Sequence, residues 1–284
     1  MKEFKDKVAV VTGGASGLGL AMARRFAAEG MKLVLADVEE EGLRRVELEF
    51  RKAGVPVMGI WTDVSRPQDI ERLAEKTLAT FGAVHVLCNN AGVAPGGAVW
   101  ENTVADWEWV LGVNLWGVIH GVRTFLPIML RQDAQCHVVN TASVAGLLSV
   151  PNMGIYCVSK HAVVTLSECL HHDLVQRHAK IGVSVLCPAY VPTGIVDSER
   201  NRPALLRNPP RSKTPEELAR EEQTRHAVLS GRISAEQVAD QVFEAVRDER
   251  FYILTHAKIK GAIQARMEDI LLERQPTDLS KPGG

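Results

Sequence analysis

The regular alternation of short apolar runs with longer helical segments constrains the fold of this chain most. The apolar runs are typical of strands buried on both faces, and segments with apolar residues three or four apart are typical of helices that cover a sheet. The predicted strands are residues 7–12, 32–37, 55–62, 85–90, 136–140, 182–187 and 251–255. The predicted helices are residues 18–29, 39–53, 67–81, 103–131, 155–178 and 234–247. This order predicts an α/β fold with a doubly wound parallel sheet in three α/β/α layers.

A glycine-rich turn joins the first predicted strand to the first predicted helix. It reads Thr12-Gly-Gly-Ala-Ser-Gly-Leu-Gly19. Glycine allows a positive φ and a close approach of backbone, so N–H groups at the start of a helix can meet a pyrophosphate. The spacing G-x-x-x-G-x-G differs from the G-x-G-x-x-G dinucleotide fingerprint, which leaves a plain tight turn as the alternative. The position between strand and helix favours a Rossmann-like dinucleotide site.

Asp37 ends the second predicted strand, 20 residues after Gly17. A carboxylate at this place can accept hydrogen bonds from the adenosine ribose hydroxyls, and it would repel a 2′-phosphate. Neither Val38 nor Ser16 offers the cation that would neutralise such a phosphate. The sequence therefore favours NAD over NADP, with a strand-end turn or cap aspartate as the alternative interpretation of Asp37.

Composition bounds the class of protein. The 284 residues are 46% apolar and 24% charged, which suffices for one large core, so we expect a single domain over residues 1–284. The formal net charge of -1 lacks the basic excess of a general nucleic-acid binder. No unbroken apolar run approaches the about 18 to 20 residues that span a bilayer, and no signal-peptide pattern opens the sequence. We therefore expect a cytoplasmic protein without a nucleic-acid or membrane partner.

The cysteines, paired histidines and tryptophans suggest structure rather than chemistry. Cysteines 88, 136, 157, 169 and 187 are odd in number and form no C-x-x-C pair, so we interpret them as buried reduced thiols. His171 and His172 are adjacent and face different directions on a helix, so no metal site is expected. Tryptophans 107, 109 and 116 are interpreted as core or subunit-interface residues.

The motifs together resemble the classical short-chain dehydrogenase/reductase family over about residues 5–254. The family pattern T-G-x-x-x-G-x-G matches Thr12 to Gly19, and N-N-A-G matches Asn89 to Gly92. The resemblance places a catalytic quartet on Asn114, Ser143, Tyr156 and Lys160. It implies an oxidoreductase that moves a hydride between nicotinamide and a small-molecule secondary alcohol or ketone. It also implies a homodimer or homotetramer.

The glycine-rich turn, Asp37 and the resemblance together define the predicted cofactor contacts. These are Gly13, Ser16, Gly17, Leu18, Gly19, Asp37, Val38, Asp63, Val64, Asn90, Ala91, Gly92, Tyr156, Lys160, Pro188, Val191 and Thr193. In one respect the sequence departs from the family pattern, because Pro188 is followed by Ala189 where the family usually has glycine. The added Cβ near the nicotinamide restricts the backbone of this loop.

The spacing of the quartet suggests how it works. Tyr156 and Lys160 are four residues apart on a helix and share a face. The Lys160 ammonium and an oxidised nicotinamide would lower the pKa of the phenol from about 10, which makes Tyr156 the predicted acid/base. Ser143 would donate a hydrogen bond to the substrate oxygen, with a helix cap as the alternative. Lys160 would also hold the nicotinamide ribose, and Asn114 would kink its helix and hold a proton-relaying water.

The substrate is the least determined part of the prediction. Residues 193–232 are rich in Asn-Pro and Pro-Pro turns and are interpreted as a mobile substrate lid, and residues 277–284 as a flexible tail. The expected pocket lining is Val144, Ala145, Leu147, Leu148, Met153, Tyr190 and the lid from Ile195 onward. This apolar lining suggests a bulky hydrophobic or aromatic substrate.

Three alternative functions stay open from the sequence. The first is an NADP-dependent carbonyl reductase with a similar substrate. The second is a non-catalytic dinucleotide-binding protein, which would have no reason to keep Ser143, Tyr156 and Lys160 together. The third is an epimerase or dehydratase of sugar nucleotides, against which the glycine spacing argues.

Overall fold

Seven strands form one sheet in the computed structural model, which describes residues 1–210 and 212–278. The strands are β1 (Val8–Thr12), β2 (Lys32–Asp37), β3 (Val57–Trp61), β4 (Val86–Asn89), β5 (Cys136–Thr141), β6 (Ile181–Cys187) and β7 (Tyr252–Leu254). Their order is β3-β2-β1-β4-β5-β6-β7, and each neighbouring pair is parallel. The predicted parallel sheet is confirmed, with every strand end within two residues of its predicted position.

Helices connect the strands and cover the sheet. They are α1 (Gly17–Ala28), α2 (Glu40–Lys52), α3 (Pro67–Phe81), α4 (Val104–Leu111), α5 (Gly117–Arg131), α6 (Gly154–Gln176), α7 (Pro215–Leu229), α8 (Ala235–Asp248) and α9 (Ile259–Leu271). Side-chain caps begin several of them, as at Thr214 and Ser234, which accept hydrogen bonds from the N–H groups of Glu217 and Gln237.

The residues of β1 divide between two cores, one on each face of the sheet. Ala9 and Val11 belong to a core shared with α1, α2 and α8, whereas Val8 and Val10 belong to a core shared with α3, α5 and α6. All five residues of β1 are buried. Because neither face meets water, the first four residues of the strand are all apolar instead of alternating, and the buried Thr12 ends it. The two cores confirm the predicted three-layer, Rossmann-like single domain.

The predicted helix 103–131 is interrupted by a wider turn. A π-helical turn, Gly112–Trp116, joins α4 to α5, and Asn114 lies in its middle. At Gly117 a Cβ would lie 2.8 Å from the Val64 side chain, so this glycine lets the helix approach the β3–α3 connection closely. A π-turn inserts one residue into a helix and is frequent at functional sites. The sequence periodicity alone did not show it.

The helix formed by α4, the π-turn and α5 is also long and apolar enough, by length and composition alone, to cross a membrane. Our search for unbroken apolar runs missed it. Core helices pass the same test, and this helix contributes Val118, Phe125 and Met129 to the cores beside the sheet. In its most apolar window 39% of the residues are buried. The finding is therefore weak evidence for a membrane span.

The chain beyond β7 differs from the prediction. Helix α9 was not predicted, because its first residues carry no capping side chain and its periodicity is weak. The N–H group of Thr277 donates a hydrogen bond to Asp269 of this helix at 2.9 Å. Thr277 was placed in the predicted flexible tail, whose residues 279–284 lie outside the described part of the chain.

The cysteine and tryptophan predictions are largely matched. Four cysteines, at 88, 136, 157 and 187, are buried, but Cys169 on α6 is exposed, so the prediction was wrong there. Trp109 is buried in the core, whereas Trp116 is half exposed. His171 packs against the ring of Phe251 at 5.2 Å. Within residues 1–210 and 212–278, no group of three His, Cys, Asp or Glu side chains could hold a metal ion.

Candidate active site

A cleft opens at the edge of the sheet where the strands have their carboxyl ends. β1 lies between β2 and β4, so the strand order changes direction at this point. Ligand sites of open α/β sheets lie at such switch points. The cleft is lined by Gly13, Ser16, Gly17, Leu18, Asp37, Val38, Asp63, Val64, Asn90, Ala91, Gly92, Tyr156, Lys160, Pro188 and Thr193, among others. These residues are the majority of the predicted cofactor contacts.

The remaining predicted residues are buried and do not line the cleft. Gly19 is one of them, and a Cβ there would lie 2.0 Å from the carbonyl oxygen of Gly13. Val191 packs in the core beside α1 and α8. Ser143 and Asn114 are also buried. Their places in the structure make them supporting residues for the groups that do face the cleft.

The glycine-rich turn presents the start of α1 to the cleft. Gly13 and Gly17 have positive φ angles of 66° and 53°. The N-cap residue Ser16 makes no side-chain cap, and the first turn of α1 holds no acidic residue. The N–H groups and positive dipole end of the helix are thus not neutralised by a side chain. This arrangement fits a pyrophosphate group.

Asp37 is fixed at the end of β2 by backbone hydrogen bonds. Its Oδ2 accepts from the N–H of Ala15 at 3.0 Å, and its Oδ1 accepts from the N–H of Glu39 at 3.0 Å. Burial raises the pKa of Asp37, although these N–H groups favour the charged form. Each carboxylate oxygen can accept a second hydrogen bond. Asp37 can therefore accept bonds from ribose hydroxyls while it holds the turn.

Tyr156 and Lys160 are both buried at the floor of the cleft. Lys160 Nζ donates a hydrogen bond to the carbonyl of Thr141 at 2.9 Å and lies 5.7 Å from the centre of the Tyr156 ring. Burial raises the pKa of Tyr156 to about 12, and a hydrogen bond with Ser143 only partly opposes it. Burial also lowers the pKa of Lys160 to about 8. Without a cofactor, the protein therefore raises the pKa of the Tyr156 phenol, whereas the sequence predicted a lowered pKa.

Ser143 serves as a cap and also reaches the tyrosine. It precedes a short 3₁₀ turn, Val144–Gly146, where its Oγ accepts a hydrogen bond from the N–H of Ala145 at 3.1 Å. The same hydroxyl donates to the carbonyl of Pro188 at 3.3 Å. Its hydrogen bond with Tyr156 lowers the pKa of the phenol. The capping alternative is correct and leaves the hydroxyl beside the tyrosine.

Asn114 joins three segments around the site. Its Oδ1 accepts from the N–H of Val93 at 2.8 Å, and its Nδ2 donates to the carbonyl of Val93 at 2.9 Å and to Ser159 Oγ at 3.1 Å. Ser159 Oγ in turn donates to the carbonyl of Tyr156 at 2.8 Å. These bonds use both N–H groups of the Asn114 amide and one acceptor position of its oxygen, and the proton-relaying water stays a prediction. The sequence analysis did not single out Ser159.

The alanine after Pro188 causes no left-handed backbone strain. Among the described residues, positive φ angles outside glycine occur at Asp6, Asp133, Asn152, His178, Glu249 and Glu273. Ala189 is not one of these residues. Its half-buried side chain does not line the cleft. The loop therefore accepts alanine in place of the glycine usual in the family.

The apolar lining of the cleft differs from the predicted one. The six residues expected between positions 144 and 190 do not line it. Ala145 and Met153 pack beside Tyr156 and Cys157 instead, and Tyr190 is half exposed. The apolar lining consists of Val93, Trp109, Val113, Ile195, Pro203 and Leu206, in addition to Leu18, Val38 and Val64. Proximity to the catalytic motif in the sequence was a poor guide, because Ala145 and Leu148 are buried in the protein.

We call residues 193–232 the lid. A buried arginine attaches the first part of the lid to α4. The Arg202 side chain is 4% exposed, and its guanidinium pairs with Asp106 at 2.7 Å. It also lies over the Trp109 ring at 5.0 Å. Asn208 also donates a hydrogen bond to Asp106 at 2.8 Å, in addition to those from Thr103. No pattern in the sequence indicates this cluster, because an arginine in a polar loop usually faces solvent.

A second contact of the lid lies at the opposite end of the cleft. Arg200 pairs with Glu39, and Asn201 donates a hydrogen bond to the same Glu39 oxygen at 2.8 Å. Glu39, Arg200 and Asn201 line the cleft together with Asp37. The sequence analysis had not identified Glu39 or either lid residue as part of the site.

A family model described as short chain dehydrogenase matches residues 7–204. The chain belongs to the short-chain dehydrogenase/reductase family. Its structure is similar to the crystal structure of a short-chain dehydrogenase/reductase from Burkholderia phymatum in complex with NAD, with 53% identity, a TM-score of 0.96 and full coverage of both chains. This family membership makes the protein an oxidoreductase.

Curated relatives of this short-chain dehydrogenase/reductase are also dehydrogenases. A CLA biosynthesis dehydrogenase/reductase of Lactiplantibacillus plantarum is 34% identical over 97% of each chain. A C alpha-dehydrogenase of Sphingobium sp. is 32% identical over 100% of this chain and 91% of its own. The two names describe different reactions, so the family membership gives the reaction class and leaves the substrate open.

Proposed function

We propose that this protein is an NAD-dependent dehydrogenase/reductase that interconverts a bulky hydrophobic or aromatic secondary alcohol and its ketone. One observation carries the proposal: Tyr156, close to Lys160, lies in the same cleft as the uncapped start of α1. A dinucleotide whose pyrophosphate lies at α1 can extend along this cleft towards the tyrosine. Such a placement is what hydride transfer requires.

The preference for NAD over NADP rests on Asp37. Its carboxylate lines the cleft at the end of β2 and carries backbone hydrogen bonds that hold it in place. A ribose 2′-hydroxyl can donate to this carboxylate, whereas a 2′-phosphate would be repelled. The similarity to a structure in complex with NAD supports the same preference. An NADP-dependent carbonyl reductase is the alternative.

In alcohol oxidation, Tyr156 accepts the hydroxyl proton of the substrate while the hydride leaves the carbinol carbon. Bound NAD supplies the hydride acceptor and a positive charge near the phenol. That charge, with the Lys160 ammonium, opposes the effect of burial on the pKa of Tyr156. Ser143 donates to the carbonyl of Pro188 in the structure, so its hydroxyl would turn from that carbonyl to the substrate oxygen to stabilise the charge that develops there. In ketone reduction Tyr156 returns its proton to the oxygen.

Lys160 and Asn114 support this chemistry in different ways. The Lys160 ammonium, held by the carbonyl of Thr141, lines the cleft and can donate to ribose hydroxyls. Asn114 fixes the loop at Val93 relative to the helix that carries Tyr156. The first residue therefore binds and stabilises charge, and the second is a positioning residue.

The proposed substrate class follows from the apolar lining. Trp109, Val113, Ile195 and Leu206 provide apolar surface that has no matching role in binding a sugar. Ile195 and Leu206 belong to residues 193–232, which supports the assignment of this segment as the substrate lid.

We infer that the protein is a cytoplasmic homodimer or homotetramer. The helices α5 and α6 leave apolar side chains partly exposed, including Leu130, Val158 and Val175, in addition to Trp116 before α5. Apolar surface of this kind is typical of subunit interfaces. Light scattering coupled to gel filtration measures the mass, and a monomer at micromolar concentration would contradict the inference.

The decisive experiment is a coupled assay with both cofactors. Purified protein is given NAD or NADP with steroid, aryl, aliphatic and polyol secondary alcohols, and formation of the reduced cofactor is followed. We expect activity with NAD on aryl or steroid alcohols. Activity on polyols alone would refute the apolar substrate class, and greater activity with NADP would refute the cofactor preference. Binding without turnover of any substrate would favour a non-catalytic protein.

A further inference from the structure

We propose that Glu39, acting on Arg200 of the lid, is a second determinant of cofactor selectivity alongside Asp37. The inference rests on the proposed NAD-dependent function. Glu39 and Arg200 both line the cleft at the end that Asp37 and Val38 assign to adenosine. They come from distant parts of the chain, the start of α2 and the lid, and form an ion pair.

Arg200 is held at the cleft by its own segment of the lid. Its Nη1 donates hydrogen bonds to the carbonyls of Gly194 and Asp197, both at 2.9 Å. Its Nη2 pairs with Glu39. Because the backbone carbonyls already fix one side of the guanidinium, loss of the Glu39 charge would leave Arg200 in place. Its other side would then be free to bind an anion.

Glu39 is a charged partner for this guanidinium. Burial acts to raise the pKa of Glu39, but the hydrogen bond from Asn201 and the charge of Arg200 outweigh it and lower the pKa. The side chains of Arg200 and Glu39 are 41% and 30% exposed, so the pair lies at the mouth of the cleft. At neutral pH the carboxylate therefore cancels the positive charge of Arg200.

The consequence concerns a phosphate on the adenosine ribose. A 2′-phosphate beside Asp37 would meet two carboxylates and an arginine whose charge is already compensated. Arginine is otherwise well suited to phosphate, because its planar guanidinium can donate two parallel hydrogen bonds. Glu39 thus disfavours NADP in two ways. Its own charge repels the 2′-phosphate, and its ion pair with Arg200 engages the guanidinium that could otherwise bind this phosphate.

Equilibrium binding to the cofactor-free protein tests this inference. The probes are adenosine 2′,5′-bisphosphate and adenosine 5′-monophosphate, and calorimetry gives the ratio of their dissociation constants. In an Asp37→Asn background, Glu39→Gln is expected to shift this ratio about tenfold towards the bisphosphate, as expected for one charge-assisted phosphate contact. Adding Arg200→Met is expected to remove the gain.

A neighbouring carboxylate provides the matched control. Glu40 pairs with Arg44 on the exposed side of α2 and does not line the cleft. Glu40→Gln also removes one negative charge, at the position next to Glu39. We expect it to change the ratio of the two dissociation constants less than twofold. Equal effects of Glu39→Gln and Glu40→Gln would overturn the inference, because they would indicate a general charge effect. A gain that persists with Arg200→Met would overturn it too.

The kinetic preference of the wild-type protein separates this inference from the proposed function. A wild type that is more active with NADP contradicts the proposed function itself. If the wild type is more active with NAD, but Glu39→Gln in the Asp37→Asn background does not change the ratio of the two dissociation constants, only the role of Glu39 and Arg200 is contradicted.

Discussion

The two ends of the cleft are held by different kinds of interaction. At the catalytic end Tyr156 and Lys160 are 8% and 2% exposed, and buried hydrogen bonds to backbone carbonyls fix the lysine and its neighbours. At the adenosine end Glu39 and Arg200 are partly exposed and joined by an ion pair between two surface segments. Burial fixes the geometry of the catalytic end. At the exposed adenosine end, a single change of charge can alter which cofactor binds.

Among the tests of this difference between the two ends, substitution of Tyr156 at the catalytic end is expected to have the largest effect. Tyr156→Phe removes the proton acceptor and keeps the ring, so kcat is expected to fall about 10²- to 10⁴-fold, as is typical for loss of a general acid/base. NADH binding, measured by fluorescence, is expected to change less than about twofold, because the adenosine end is intact. Tyr252→Phe is the control, since the Tyr252 hydroxyl donates a hydrogen bond to Glu168 and neither residue lines the cleft. Full activity of Tyr156→Phe would disprove the acid/base assignment.

The second prediction concerns the anchor of the lid. Arg202→Met leaves Asp106 buried without its cation, and removal of one partner of a buried pair costs about 3 kcal/mol or more of unfolding free energy. Urea unfolding at a fixed protomer concentration measures this loss. Asp106→Asn/Arg202→Met is expected to recover part of it, because no buried charge is left unpaired. An unchanged midpoint for the single variant would show that the anchor contributes nothing.

The third prediction is a difference between the pH profiles of the two reaction directions. Alcohol oxidation needs the phenolate, and burial raises the pKa of Tyr156 to about 12 in the free enzyme. The kcat/KM for oxidation is therefore expected to rise with pH from neutral to alkaline, up to about tenfold per unit. Ketone reduction needs the phenol and should not rise over this range. Parallel initial-rate profiles measure both, and an oxidation rate that falls with pH would contradict the model of proton transfer.

The smallest expected effect is at the exposed part of the lid. Arg225 pairs with Asp197 at 2.5 Å, and both side chains are nearly half exposed. Exposed ion pairs contribute little to stability, so Arg225→Met should barely move the urea midpoint. The difference between the urea midpoints of Arg225→Met and Arg202→Met then measures how much more a buried ion pair of the lid stabilises the protein than an exposed one. A loss as large as that of Arg202→Met would remove the distinction between the two contacts.

The catalytic end was predictable because its signals are local. The spacing of Tyr156 and Lys160 on one helix and the glycine-rich turn between β1 and α1 place these groups without knowledge of the rest of the fold. The strands were also predictable, since strands buried on both faces are mostly apolar, as in residues 8–11 of β1.

The lid contacts could not be predicted because they depend on residues far apart in the sequence. Arg202 meets Asp106, and Arg200 meets Glu39, only after the sheet and lid are folded. A charged residue in a polar loop usually faces solvent, so single residues gave no signal. The substrate lining was misplaced for a related reason: Ala145 and Met153 pack beside Tyr156 and Cys157, which the sequence does not show.

The uncapped start of α1 has a consequence for how this enzyme responds to its medium. The turn meets an anion with backbone N–H groups and a helix dipole, and residues 13–19 include no lysine or arginine. Short-range contacts with fixed dipoles are screened much less by salt than attraction between separated full charges. Affinity for the dinucleotide should therefore stay nearly constant as ionic strength varies, so that cofactor occupancy follows the cofactor concentration and not the salt content of the cell.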